Sequence, residues 1–173
     1  METRRPVRDS AGRRVAVSSV LAGLALIFSY IEAIFPFNFG IPGIKLGLSN
    51  LVILVALYSL GAGYAFSINI VRIILSGLLF GGVSAMLYSL AGGLLSFVAM
   101  LVLKKTGIFS PVGVSMAGGV FHNVGQVAVA ALVVETGRIF IYLPVLSLTG
   151  LATGTMLGIA GALILKRGGY QVS

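Results

Sequence analysis

Phe35-Pro36-Phe37-Asn38-Phe39-Gly40-Ile41-Pro42-Gly43-Ile44-Lys45-Leu46-Gly47-Leu48-Ser49-Asn50 separates two long apolar runs and decides how the chain is read. Pro36 and Pro42 lack the N–H that a helix interior needs, so neither run continues through this stretch. Gly40, Gly43 and Gly47 permit positive φ and close backbone approach. A plain connector rarely carries three phenylalanines. Two readings fit: a loop whose aromatics anchor at the lipid headgroups, or a partly embedded gate that offers Lys45 to an anion.

Working outward, 58% of the 173 residues are hydrophobic and 9% charged, more apolar surface than a water-soluble domain of this size can cover. Lipid is therefore the expected solvent. The 24 glycines suit helices packed closely in a bilayer. Cysteine is absent, which excludes disulfides and thiolate chemistry. The net charge of +8 would suggest nucleic acid in a soluble protein, but the basic residues cluster at the ends of apolar runs, where they set orientation. No nucleic-acid partner is expected.

Residues 1–14 read as a basic cytoplasmic tail and 169–173 as a short C-terminal tail. Between them, 15–168 reads as an all-α membrane domain, a compact bundle of six transmembrane helices. The first runs from Val15 to Phe35, and five more follow at about 48–60, 64–80, 83–103, 112–134 and 141–165. Arg4, Arg5, Arg8, Arg13 and Arg14 precede the first span. Lys104 and Lys105 follow the fourth, and Lys166 and Arg167 the sixth. With six spans all of these fall on one side, which places both termini in the cytoplasm.

Arg72 is the most costly residue, a charge at the centre of the third span, where insertion scales assign roughly 3 kcal/mol. Asn69 and Ser76 share its helical face. Glu32, the acidic residue inside a predicted span, is the expected partner unless a ligand takes that place. In the fifth span His122 and Gln126 share a face, with Asn123 about 100° round. Such groups in lipid must bond to another helix or to a ligand. Tyr88, beside Gly92-Gly93, is a weaker candidate. In the first span Ser18, Ala22, Ala25 and Ser29 form a small-residue stripe, for internal packing or for a membrane partner.

Other chemistry is excluded. No P-loop is present. The single histidine rules out bis-histidine haem ligation and disfavours zinc. Asp9 is the single aspartate, so paired carboxylates for Mg²⁺ are lacking. No cofactor, no metal and no enzymatic activity are expected.

Ile41-Pro42-Gly43-Ile44-Lys45-Leu46-Gly47-Leu48-Ser49-Asn50, the Arg72 helix, Tyr88-Ser89-Leu90-Ala91-Gly92-Gly93 and His122-Asn123-Val124-Gly125-Gln126 together resemble the Gx transporter family. Its members are often labelled heptaprenyl diphosphate synthase component I. That family is similar to the substrate-binding S components of energy-coupling factor (ECF) transporters. The resemblance implies a multi-pass subunit of a bacterial or archaeal cytoplasmic membrane that captures a small vitamin- or precursor-like molecule. A membrane coupling subunit and two ATPase subunits would then power release. It implies that Lys45 and Asn50 lie near the substrate and that Arg72, His122, Asn123 and Gln126 line its site, with Glu32 and Tyr88 as further candidates. The Ser18/Ala22/Ala25/Ser29 stripe would dock the coupling subunit. The alternative is a non-catalytic accessory subunit in isoprenoid, quinone or flavin-linked redox metabolism.

Overall fold

The computed structural model describes residues 11–35 and 47–170. The loop carrying Lys45 and the terminal tails fall outside the described residues, apart from Ala11–Arg14 and Gly169–Tyr170. Among the described residues the chain is helical throughout and contains no strand. Its α-helices are α1 (Ala11–Ile34), α2 (Leu48–Ser59), α3 (Ala62–Ser76), α4 (Gly82–Thr106), α5 (Pro111–Val133) and α6 (Leu143–Arg167). A π-helical turn, Gly77–Gly81, joins α3 to α4, and a 3-10 turn, Gly137–Tyr142, leads into α6.

Local chemistry sets these boundaries. Gly107 adopts the left-handed conformation that closes α4. Three residues on, the Ser110 hydroxyl accepts the Gly113 N–H, and Pro111 opens α5 where a missing N–H costs nothing. Gly82, at φ 73°, supplies the backbone reversal between the π-turn and α4.

Cross-helix contacts give the directions. Asn69 of α3 reaches the Gly93 carbonyl of α4, and Gly77 lies against Met86, so these two helices run antiparallel. The same reasoning reverses α5 relative to α4, through Gly92 on His122 and Gly118 on Met100. It reverses α6 relative to α5, through Gly150 on Gly119 and Gly158 on Val112. Glu32, near the end of α1, meets the start of α2, while Lys104, near the end of α4, reaches Leu57 near the end of α2. Each helix therefore reverses the one before it. Arg13, Arg14, Lys104, Lys105, Lys166 and Arg167 gather at one end of the bundle. Arg138 and the Gly81-Gly82 turn lie at the other.

Four stretches are long and apolar enough to cross a membrane: Ala11–Ile34, Ala62–Thr106, Pro111–Val133 and Gly137–Arg167; Leu48–Ser59 is a shorter apolar helix. The second stretch folds back on itself at Gly82. Large apolar side chains such as Val20, Leu78, Leu132 and Met156 stand more than two-thirds exposed, as they do on a lipid-facing surface. The chain is a multi-pass membrane protein.

Packing is of two kinds. Around α2, Ile53, Leu54 and Leu57 are fully buried against Ala25, Ala65, Ile68 and Phe97. Between α4, α5 and α6 the helices touch through glycine. A Cβ on Gly150 would stand 2.7 Å from the Gly119 carbonyl oxygen, and one on Gly125 would stand 2.6 Å from that of Ala91. Such contacts bring backbones together where lipid offers no hydrophobic drive.

Part of the first-span stripe turns inward. Ala25 is fully buried and Ala22 packs on the same core, while Ser29 lines an internal chamber. These small residues bring α1 close to α2 and α3, with Ala25 covered within the chain and Ser18, Ala22 and Ser29 partly exposed.

Candidate functional site

The polar residues that lipid would penalise are buried together, on α2, α3, α4 and α5. Arg72 is 4% exposed. Its Nη2 donates to Asn69 Oδ1 at 2.9 Å, and Asn69 Nδ2 donates to the Gly93 carbonyl at 3.0 Å. The i and i+3 spacing on α3 makes the first bond possible. The second fastens the pair to α4. Arg72 Nε has no hydrogen-bond partner.

Arg72 borders a chamber of about 70 Å³ that is also lined by Glu32, Ser49, Ser76, Ser89 and His122. Glu32 accepts the Leu48 N–H at 2.8 Å. No side chain caps the start of α2 in the usual way, so a carboxylate from α1 meets the positive end of the helix dipole. The same carboxylate is the opposite charge felt by Arg72. The chamber thus holds one anion and one cation, both engaged.

The α5 cluster divides according to its angular spacing. Gln126 Nε2 donates to His122 Nε2 at 3.1 Å, which calls for the histidine tautomer with Nε2 unprotonated. Asn123 turns towards α6 and donates to the Leu146 carbonyl at 2.6 Å, beside the Thr149 hydroxyl, which bonds the same oxygen. Asn50, 8% exposed, joins Asn123 and His122 around a cleft of about 10 Å³, room for a single water. Tyr88 lies apart from both, with Gln126, on a larger apolar space between the ends of α4, α5 and α6.

The structure therefore brings Glu32, Arg72 and His122 to one chamber and places Asn50 and Asn123 at its neighbour. Lys45 lies outside the described residues. Two lining groups escaped the sequence reading, Ser49 and Phe80, and so did the Gly93 carbonyl that fastens Asn69. Phe80 sits on the π-turn, a distortion that a run such as Gly77-Leu78-Leu79-Phe80-Gly81 does not announce. The Gly93 carbonyl acts through the backbone, which sequence patterns do not mark.

A buried arginine at the wall of a polar chamber between the helices defines a membrane protein with a polar site inside its bundle. Residues 21–164 match the family model described as heptaprenyl diphosphate synthase component I, and the chain belongs to that family. No curated protein and no solved structure matches it. Prenyl transfer to a diphosphate would call for Mg²⁺, bound by carboxylates and substrate phosphates. The chamber does not suit that ion: its carboxylate is Glu32, which already holds the Leu48 N–H and faces the Arg72 cation. Among the described residues no group of three His, Asp or Glu converges as a metal site.

Proposed function

We propose that this protein is a non-catalytic, substrate-binding membrane subunit that admits a small anionic molecule to the Arg72 chamber for uptake. The reading rests on one observation, a buried guanidinium held by Asn69 at the wall of an internal cavity. A charge inside a membrane span is costly and is kept where it serves a ligand or a pathway. Six spans with the basic end in the cytoplasm complete the picture. The opposite end, with Arg138 and the Gly81-Gly82 turn, then faces outward in a cytoplasmic membrane. Release would depend on a membrane coupling subunit with two ATPases, as in the ECF transporters that the sequence resembles.

The test is binding by the purified protein in nanodiscs. Arg72→Ala should abolish binding of the co-purifying anion while the bundle stays folded; unchanged affinity in a folded variant refutes the role. The family name favours a second reading, an accessory subunit of an isoprenoid synthase. Native mass spectrometry of protein extracted from its own membrane separates the two. ATPases and a retained small molecule support uptake, whereas a synthase subunit without either supports the accessory role.

A further inference from the structure

The Arg72 chamber is too small for a whole ligand. Its 70 Å³ equals two or three waters at roughly 30 Å³ each, enough for a carboxylate or phosphate group. Ligand pockets usually measure about 300–1,000 Å³. A second space of about 600 Å³ lies beside it, between α4, α5 and α6, lined among others by Ser84, Tyr88, Val127, Ala130, Tyr142 and Leu146.

The two spaces share a wall in two places. Gly81 and Ala85 line both, and their side chains together amount to one methyl group. The hydrogen-bonded pair His122–Gln126 also spans them, with His122 on the polar side and Gln126 on the apolar side. Gln126 is 5% exposed and lines the large space, and its Oε1 is buried without a hydrogen-bond partner. A buried amide oxygen left without a donor calls for an explanation, and a ligand group reaching it from the space that Gln126 lines supplies one.

Resting on the reading of Arg72 as the anion site, we infer that the ligand is an amphiphile. Its carboxylate or phosphate head meets Arg72, and its apolar body, a ring system or short alkyl chain, fills the α4–α5–α6 chamber. A donor on the body, near the head, bonds Gln126 Oε1. The volume suits a molecule of drug-like size arriving from water, not a two-chain lipid of the surrounding bilayer.

The test uses the full chain in phosphatidylcholine nanodiscs and two probe pairs, methyl against hexyl phosphate and acetate against hexanoate. The longer member of at least one pair should bind about tenfold tighter or more, since each buried methylene adds about a fourfold gain. Ala130→Phe and Ser84→Phe, which fill the chamber from different helices, should each erase that gain and leave the short probe's affinity unchanged. Partition into the bilayer is the same for wild type and variants, so it cancels. Equal affinity within both pairs, or a gain that survives both substitutions, overturns the amphiphile inference while leaving the Arg72 site standing. Competition by nanodiscs rich in anionic phospholipid would assign the space to lipid and overturn it as well. Short-probe binding that survives Arg72→Gln instead refutes the anion site, and failure of every probe to bind refutes both.

Discussion

Asn69 holds Arg72 in place, and a double-mutant cycle between them measures how firmly. Asn69 makes two buried hydrogen bonds, accepting from Arg72 Nη2 at 2.9 Å and donating to the Gly93 carbonyl at 3.0 Å. In water-soluble proteins the charged bond would contribute about 1.5–3 kcal/mol and the neutral one about 0.5–1.5 kcal/mol. Inside a membrane the unfolded reference also finds partners, and measured couplings average about 0.6 kcal/mol with a maximum near 1.7. Asn69→Leu should therefore cost about 2 kcal/mol, and its coupling to Arg72→Leu should be about 1 kcal/mol. Asn69→Asp, which keeps an acceptor for Arg72 and loses the donor for Gly93, should retain the coupling. The assay is reversible unfolding of wild type, both single variants and the double variant in mixed micelles. Additivity within about 0.3 kcal/mol would refute the claim that Asn69 positions the guanidinium. Anion affinity should fall in Asn69→Leu even though Asn69 does not line the chamber.

Three further outcomes follow from the same contacts. Gly119→Ala would drive a methyl group into the Gly150 backbone and should cost about 1–3 kcal/mol; Gly113→Ala, which meets just the flexible Phe109 side chain at ordinary distance, should be neutral or stabilise by up to about 1 kcal/mol. Paired thermal melts of these two variants check the glycine seam. Lys104 donates to the Leu57 carbonyl and lies 4.7 Å from the Tyr58 ring centroid, so Lys104→Met should lower stability by about 1–2 kcal/mol in the same unfolding assay. Glu32→Gln keeps an acceptor for the Leu48 N–H but removes the charge facing Arg72, so methyl phosphate or acetate should bind several-fold tighter by titration; Glu32→Ala should instead loosen the start of α2 and lower the melting temperature.

The helices were legible because lipid demands long apolar runs, and the chain punctuates them with Gly61, Gly81-Gly82, Gly107 and Pro111. Arg72 was legible as a costly charge, and Asn69 as its neighbour one turn earlier, because both follow from helical spacing. The split of the α5 cluster was legible in part. The 100° between His122 and Asn123 turns them towards different neighbours, though not towards named ones. Partnerships across helices were hidden. Glu32 caps α2, and Asn69 bonds the Gly93 carbonyl, through the approach of elements far apart in sequence. The stripe on α1 was visible, but a small residue looks the same whether its neighbour belongs to this chain or another. The stripe Gly150, Gly154 and Gly158 on α6, each against the α5 backbone, carried the same signature and was not singled out.

The electrostatics of the chamber explain how Glu32 can stand beside the proposed anion site. An isolated buried guanidinium would be very unfavourable in a low-dielectric bundle, and a carboxylate offsets it while the chamber holds no ligand. An entering anion must then compete with that carboxylate, which would ordinarily leave Glu32 as an uncompensated, partly buried charge. The start of α2 removes this difficulty. Its Leu48 N–H and helix dipole give the Glu32 carboxylate a second partner, independent of Arg72. On the proposed reading the exchange therefore moves Arg72 from one anion to another without stranding the first. Leu48 begins α2, so on that reading the carboxylate that yields Arg72 is also the one that holds the start of the helix.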